Sequence, residues 1–76
     1  MLPIAIVKWT QDELTAQATD EAWFKLSILA DQRKIPSIST TIRNELNQPH
    51  DTQGLRRITF WSPESNAVME MVEQSA

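Results

Sequence analysis

The chain has 76 residues, 41% hydrophobic and 22% charged, with a net charge of −3, one histidine and no cysteine. A chain of this length forms one domain, residues 1–76, with a modest core that buries only about 60% of its unfolded surface. The composition excludes disulfides, thiolate metal sites, a cysteine nucleophile and a zinc site built on the lone His50, and the negative balance excludes a generic basic nucleic-acid coat.

Met1-Leu2-Pro3-Ile4-Ala5-Ile6-Val7 is too short to span a bilayer and lacks the basic start of a signal peptide. It reads instead as the approach to a strand, and the cytoplasm is the expected compartment. Residues 4–9, Ile-Ala-Ile-Val-Lys-Trp, are β-branched or aromatic and apolar at both parities, which predicts a short strand buried on both faces. Thr10-Gln11-Asp12-Glu13 then has the spacing of a capping box, and Thr19-Asp20-Glu21 is a second helix start with first-turn acids. Residues 11–33 are therefore expected to be helical, as one helix or two. Ala22, Trp23, Phe24, Leu26, Ile28, Leu29 and Ala30 make the stretch from 22 to 30 apolar nearly all round, and such a helix needs covering on several sides. In so small a chain that points to a homodimer or a protein partner. Arg33 and Lys34 bring cations to the helix end.

Pro36 breaks the helix, and Ser37 is the expected cap of a second helix over 37–48, anchored by Ile38, Ile42 and Leu46. Pro49 to Gly54 forms a polar loop. Leu55 to Trp61 follows as a strand, with Ile58 and Phe60 inward and Arg57, Thr59 and Trp61 on the opposite face. Ser62-Pro63-Glu64 predicts a helix start with Ser at the N-cap and Pro at the first helical position. Ala67, Val68, Met71 and Val72 keep helical period better than alternation; a returning strand at 67–72 is the alternative. The fold class expected is α+β, in the order β-α-α-β-α, with the two strands paired and a helix-turn-helix-like centre.

No catalytic constellation emerges, and the chain is not expected to be an enzyme. The adjacent acids Asp12-Glu13 and Asp20-Glu21 are explained by capping, His50 has no neighbouring nucleophile in the sequence, and one glycine cannot make a phosphate-cradling loop. No cofactor is implied. Charge is banded, however: residues 33–61 carry Arg33, Lys34, Arg43, Arg56 and Arg57 against Glu45 and Asp51, while both ends are acidic. An anionic partner would be steered to the middle.

The segment Leu29-Ala30-Asp31-Gln32-Arg33-Lys34-Ile35-Pro36-Ser37-Ile38-Ser39-Thr40-Thr41-Ile42-Arg43-Asn44-Glu45-Leu46-Asn47 carries the strongest motif. It resembles the helix-turn-helix of bacterial winged-helix and phage-type regulators, with an "LA" first helix and an "S-x-S-T-[TV]-[IV]-R-x-x-L" second helix. Leu55-Arg56-Arg57-Ile58 is similar to the strand that follows in winged helices, whereas Lys34 stands where the turn usually has glycine. The resemblance implies a small DNA-binding regulator with 37–48 as its recognition helix. Arg43, Asn44 and Asn47 would lie near bases, and Ser39, Thr40, Arg56 and Arg57 near phosphates; these side-chain types suit those contacts. The alternative is a protein-interaction module, such as an adaptor, a small complex subunit or a phage-encoded inhibitor. It would use Trp23, Phe24 and Ile28 on the apolar helix as anchors.

Overall fold

The computed structural model describes residues 2–50 and 54–75; Asp51, Thr52 and Gln53 of the expected polar loop lie outside the described residues. Six elements follow in the order β1 (Ala5–Trp9), β2 (Glu13–Ala18), α1 (Asp20–Gln32), α2 (Pro36–Leu46), β3 (Arg56–Trp61) and α3 (Glu64–Gln74). The class is mixed α/β, but the order is β-β-α-α-β-α and the sheet has three antiparallel strands, arranged β1-β2-β3. The expected two-stranded sheet is corrected on both counts: β1 and β3 never pair with each other, and each pairs with β2.

The extra strand comes from residues expected to be helical. Thr10 does use its hydroxyl as a cap does, accepting from the amides of Asp12 and Glu13, but its own amide donates to the carbonyl of Glu13. The result is a turn between β1 and β2. Glu-Leu-Thr-Ala-Gln-Ala over 13–18 is composed largely of good helix formers, yet its apolar positions alternate: Leu14, Ala16 and Ala18 are buried while Glu13, Thr15 and Gln17 face the other way. Pairing on both sides overrides a propensity worth only tenths of a kcal/mol per residue. The helix starts at the second signal, where Thr19 accepts from the Ala22 amide at 3.3 Å and Asp20 and Glu21 occupy the first turn.

α1 is amphipathic rather than apolar all round. Ala22, Trp23, Leu26, Ser27 and Ala30 face the core, while Phe24 and Ile28 face outward. The helix closes in a Schellman arrangement: the Lys34 amide reaches the carbonyl of Asp31 at 3.0 Å and the Ile35 amide that of Ala30 at 2.9 Å. Lys34 takes the left-handed position with φ 59°, which glycine fills more readily. Pro36 then opens α2 as its first residue behind Ile35. Ser37 is therefore not the cap, and α2 ends at Leu46 instead of 48. Ile38 and Ile42 of α2 are fully buried and Leu46 packs on the core edge, as the spacing predicts.

In β3, Arg56, Ile58 and Phe60 point inward while Arg57, Thr59 and Trp61 point outward. Residues 67–72 are helical, as period favoured over a returning strand, although the N-cap position is Pro63 rather than Ser62. The helices cover one face of the sheet, and the core joins Leu14, Ile58 and Phe60 to Trp23, Leu26, Ile38, Ile42, Val68 and Met71. Trp23 lies at its centre, with its ring 5.9 Å from that of Phe60 and its indole N–H donating to the Arg56 carbonyl at 2.8 Å. The opposite sheet face is uncovered and, apart from Trp61, mainly polar along β2 and β3. Thr15 and Thr59 share a hydroxyl hydrogen bond of 2.8 Å across the strands, and Arg57 donates to Gln17 at 3.4 Å.

Candidate functional site

The residues expected to bind DNA do not gather on one surface. α2 presents Thr40, Arg43, Asn44 and Asn47 outward, but Ser39 is buried, with its hydroxyl donating to the Pro36 carbonyl at 3.2 Å. Buried there, it has no route to a phosphate. Arg56 is also taken inward: it is only 7% exposed, its Nε donates to Asp20 at 2.8 Å, and its Nη1 donates to the carbonyl of Glu45 near the end of α2. Parity places its neighbour Arg57 on the far face of the sheet, away from α2. Of the seven positions, three lie exposed on α2 and Asn47 at its C-terminal cap, two are buried and one is across the sheet.

Three of the five cations in the basic band of the sequence are paired with acids locally. Arg43 meets Asp31 at 2.6 Å, Arg33 lies 3.9 Å from Glu70, and Arg56 is paired with Asp20; outside the band, Lys8 is bridged to Glu13 and Lys25 lies 3.3 Å from Glu21. Among the described residues, only Lys34 and Arg57 of the seven cations have no acidic partner. The hydrogen bond from Arg43 holds the Asp31 carboxyl below its ordinary value. An Arg fixed to a carboxylate is a weaker reader of guanine than a free one, because the pair must open first.

Asp20 joins a second cluster. Its carboxylate accepts from Arg56 and from His50 Nε2 at 2.7 Å, and the Arg56 hydrogen bond holds its pKa below the usual value, against a smaller opposing effect of burial. Glu45, Gln48, Pro49, His50, Leu55, Arg56 and Arg57 line a cavity of about 420 Å³ beside this cluster. The hydrogen bonds of the cluster tie the start of α1, the end of α2 and the start of β3 together. No group of acids, histidines and cysteines suited to a metal ion occurs among the described residues. None of the described helices is long and apolar enough to cross a membrane.

The expected protein-contact anchors also divide. Trp23 is the centre of the core and is unavailable, whereas Phe24 and Ile28 are exposed one helical turn apart. Ile28 borders a shallow groove that includes Leu2, Lys25, Leu29 and Gln32. The largest accumulation of exposed apolar surface lies elsewhere, in the strand expected to be buried. All five residues of β1 are exposed, among them Ile6 at 37%, Val7 at 48% and Trp9 at 51%; Trp61, exposed at 62%, lies apart on β3 at the other edge of the sheet. β1 is an edge strand, paired only with β2, so its outer row of backbone groups has no strand partner among the described residues. The ladder is broken between Ile6, which pairs with Ala16, and Lys8, which pairs with Thr15. Val7 sits in this bulge. Parity alone gave no sign of an edge. The signal that did exist was the alternation over 13–18, which demanded a second strand and displaced the first to the rim.

Compared with protein-family models, curated proteins and solved structures, the chain matches none.

Proposed function

We propose that the chain is a protein-interaction module whose contact surface is built on the edge strand β1. The observation that carries this reading is a five-residue strand, Ala-Ile-Val-Lys-Trp, exposed throughout at the rim of the sheet. An edge strand offers a row of hydrogen-bonding groups to a further strand, and proteins ordinarily blunt it with charge or a bulge. Here β1 does carry a bulge, at Val7, but its one charge, Lys8, is bridged to Glu13, so the edge presents large apolar side chains with little net charge. Apolar and aromatic groups of this kind anchor protein contacts when a partner excludes water from them.

The test is site-specific photocrosslinking in cells that express the chain. A photoreactive phenylalanine at Trp9 is expected to give a protein adduct, while the same group at Thr40 on α2 gives none. Adducts at Thr40 but not at Trp9 would overturn the assignment of the surface.

A second reading, the small DNA-binding regulator, is favoured by one observation: α1 and α2 are joined by a three-residue turn, Arg33–Ile35, with Lys34 left-handed. That connection leaves Thr40, Asn44 and Asn47 outward on α2. Its test is fluorescence anisotropy with random duplex DNA at two salt concentrations. Binding that weakens steeply with salt supports it, and no binding at low salt overturns it.

A further inference from the structure

We infer that the partner of β1 is a second copy of this chain, joined by antiparallel β1–β1 pairing into a continuous six-stranded sheet. The inference rests on the reading of β1 as the contact surface and adds the identity of its occupant. Three observations lead to it.

The first is the form of the edge. β1 is short, antiparallel to its neighbour and unpaired on its outer side among the described residues. A twofold axis between two such edges generates antiparallel pairing, and the same patch then serves both subunits, as closed dimers require. The second is charge. The chain carries −3, and two copies would repel if acidic surfaces met. β1 itself holds no acid, and its single base is already neutralised in cis by Glu13, so this is a seam along which two like-charged molecules can approach closely. The third is register. Pairing centred on Lys8 would oppose two like charges, which is disfavoured. Pairing centred on Val7 brings the apolar bulge residues of the two copies together and sets each Lys8 beside Ile6 of the other. It is this avoidance of like charges that places Val7, at 48% exposure, at the twofold axis.

Two other candidates support no comparable argument. Phe24 and Ile28 on α1 are exposed beside a shallow groove, with nothing to indicate the chemistry of an occupant. In the cavity beside Arg56, Arg56 and His50 are already engaged with Asp20, and Arg56 also with the Glu45 carbonyl.

The experiment is light scattering on the full chain with a charge-swap pair. The wild-type chain is expected to run at twice the 8.7 kDa chain mass. Val7→Lys and Val7→Glu should each run at the single-chain mass, since each sets two like charges at the twofold axis. Mixing the two variants in equal amounts should restore the double mass. Val7 is half exposed, so both substitutions are compatible with the fold, and circular dichroism verifies it. Should either variant unfold, the second measurement is hydrogen exchange of the wild-type β1 amides, which should gain protection as concentration rises.

A wild-type chain that stays monomeric at the highest attainable concentration overturns the inference. So does a dimer indifferent to both Val7 variants, or β1 amides whose exchange is independent of concentration. The photocrosslinking result separates this failure from that of the broader reading. An adduct at Trp9 to a different protein, with no dimer, leaves β1 as the contact surface and removes only the second copy. No adduct at Trp9 removes both.

Discussion

β1 and β2 lie side by side in one sheet and meet opposite fates. β1 is the more apolar, with four of its five residues hydrophobic, yet all five are exposed; β2 has three hydrophobic residues in six, and all three are buried. Burial follows position in the fold, not apolar content. β2 is covered by helices on the face that carries Leu14, Ala16 and Ala18, and so is β3 although it is also an edge, whereas all five residues of β1 lie outside that cover. A strand with more apolar surface than its own domain can cover is a statement about what the domain meets, and a strand with strict alternation is a statement about how the domain is held.

The sharpest way to break this comparison is to shorten a side chain in the covered strand. Leu14→Ala should cost about 2–5 kcal/mol, since Leu14 is fully buried and the site cannot refill. Chemical denaturation measures it. A loss no larger than that of a surface substitution would mean that β2 is not the strand the core is built on.

The helical layer can be sharpened in the opposite direction. Lys34→Gly should stabilise the fold by roughly 1 kcal/mol, because a left-handed lysine carries a backbone cost that glycine does not, less the greater freedom of glycine in the unfolded chain. The denaturation midpoint should rise while the slope stays constant. A fall in midpoint would show that the lysine side chain contributes more than its backbone costs.

The covered side of the sheet should also respond to acid in a way the edge does not. The Asp20 carboxyl is held below its ordinary pKa of 3.8, chiefly by the Arg56 hydrogen bond. A depressed folded-state pKa gives stability that is present above the unfolded value and is lost as pH falls through the folded one. The melting temperature should therefore decline below about pH 3.8, and Asp20→Asn should reduce the slope of that decline. An unchanged slope would assign the acid response to other carboxylates, Asp31 first among them. The smallest effect belongs to β1: Trp9→Ser should change the stability of the single chain by no more than about 0.5 kcal/mol, as exposed positions do. A cost approaching that of Leu14→Ala would place Trp9 in the intramolecular core and remove β1 as a free edge.

Much of the helical half was legible in the sequence. Pro36 marks the break between α1 and α2, and Ile38 with Ile42 marks the buried face of α2; the alternation of Arg57, Thr59 and Trp61 with Ile58 and Phe60 gives β3 both of its faces. The hairpin was not legible, because Thr10 to Glu13 satisfies the same local hydrogen bonds in a turn as it would at a helix start. Only the strands on either side decide between them, and that information is non-local. The candidate surface was harder still. Arg56 and Arg57 are adjacent and chemically alike, yet one is buried against Asp20 and the other faces out. Ser39 and Thr40 divide in the same way on α2. A list of polar residues suited to a ligand becomes a surface only when parity and partners are known, and the salt bridge of Arg43 to Asp31, twelve residues earlier, is invisible without the turn that joins them.

The three tryptophans occupy the two environments this comparison separates, and they make the chain its own optical probe. Trp23 lies in the core with its indole N–H bound to a carbonyl, whereas Trp9 and Trp61 stand at the rim of the sheet. With the two rim residues replaced by phenylalanine, the remaining emission reports on the interior alone and shifts to the red when the domain opens. With Trp23 and Trp61 replaced instead, the emission belongs to Trp9 alone, blind to small changes inside and sensitive to anything that settles against β1 and displaces water from it.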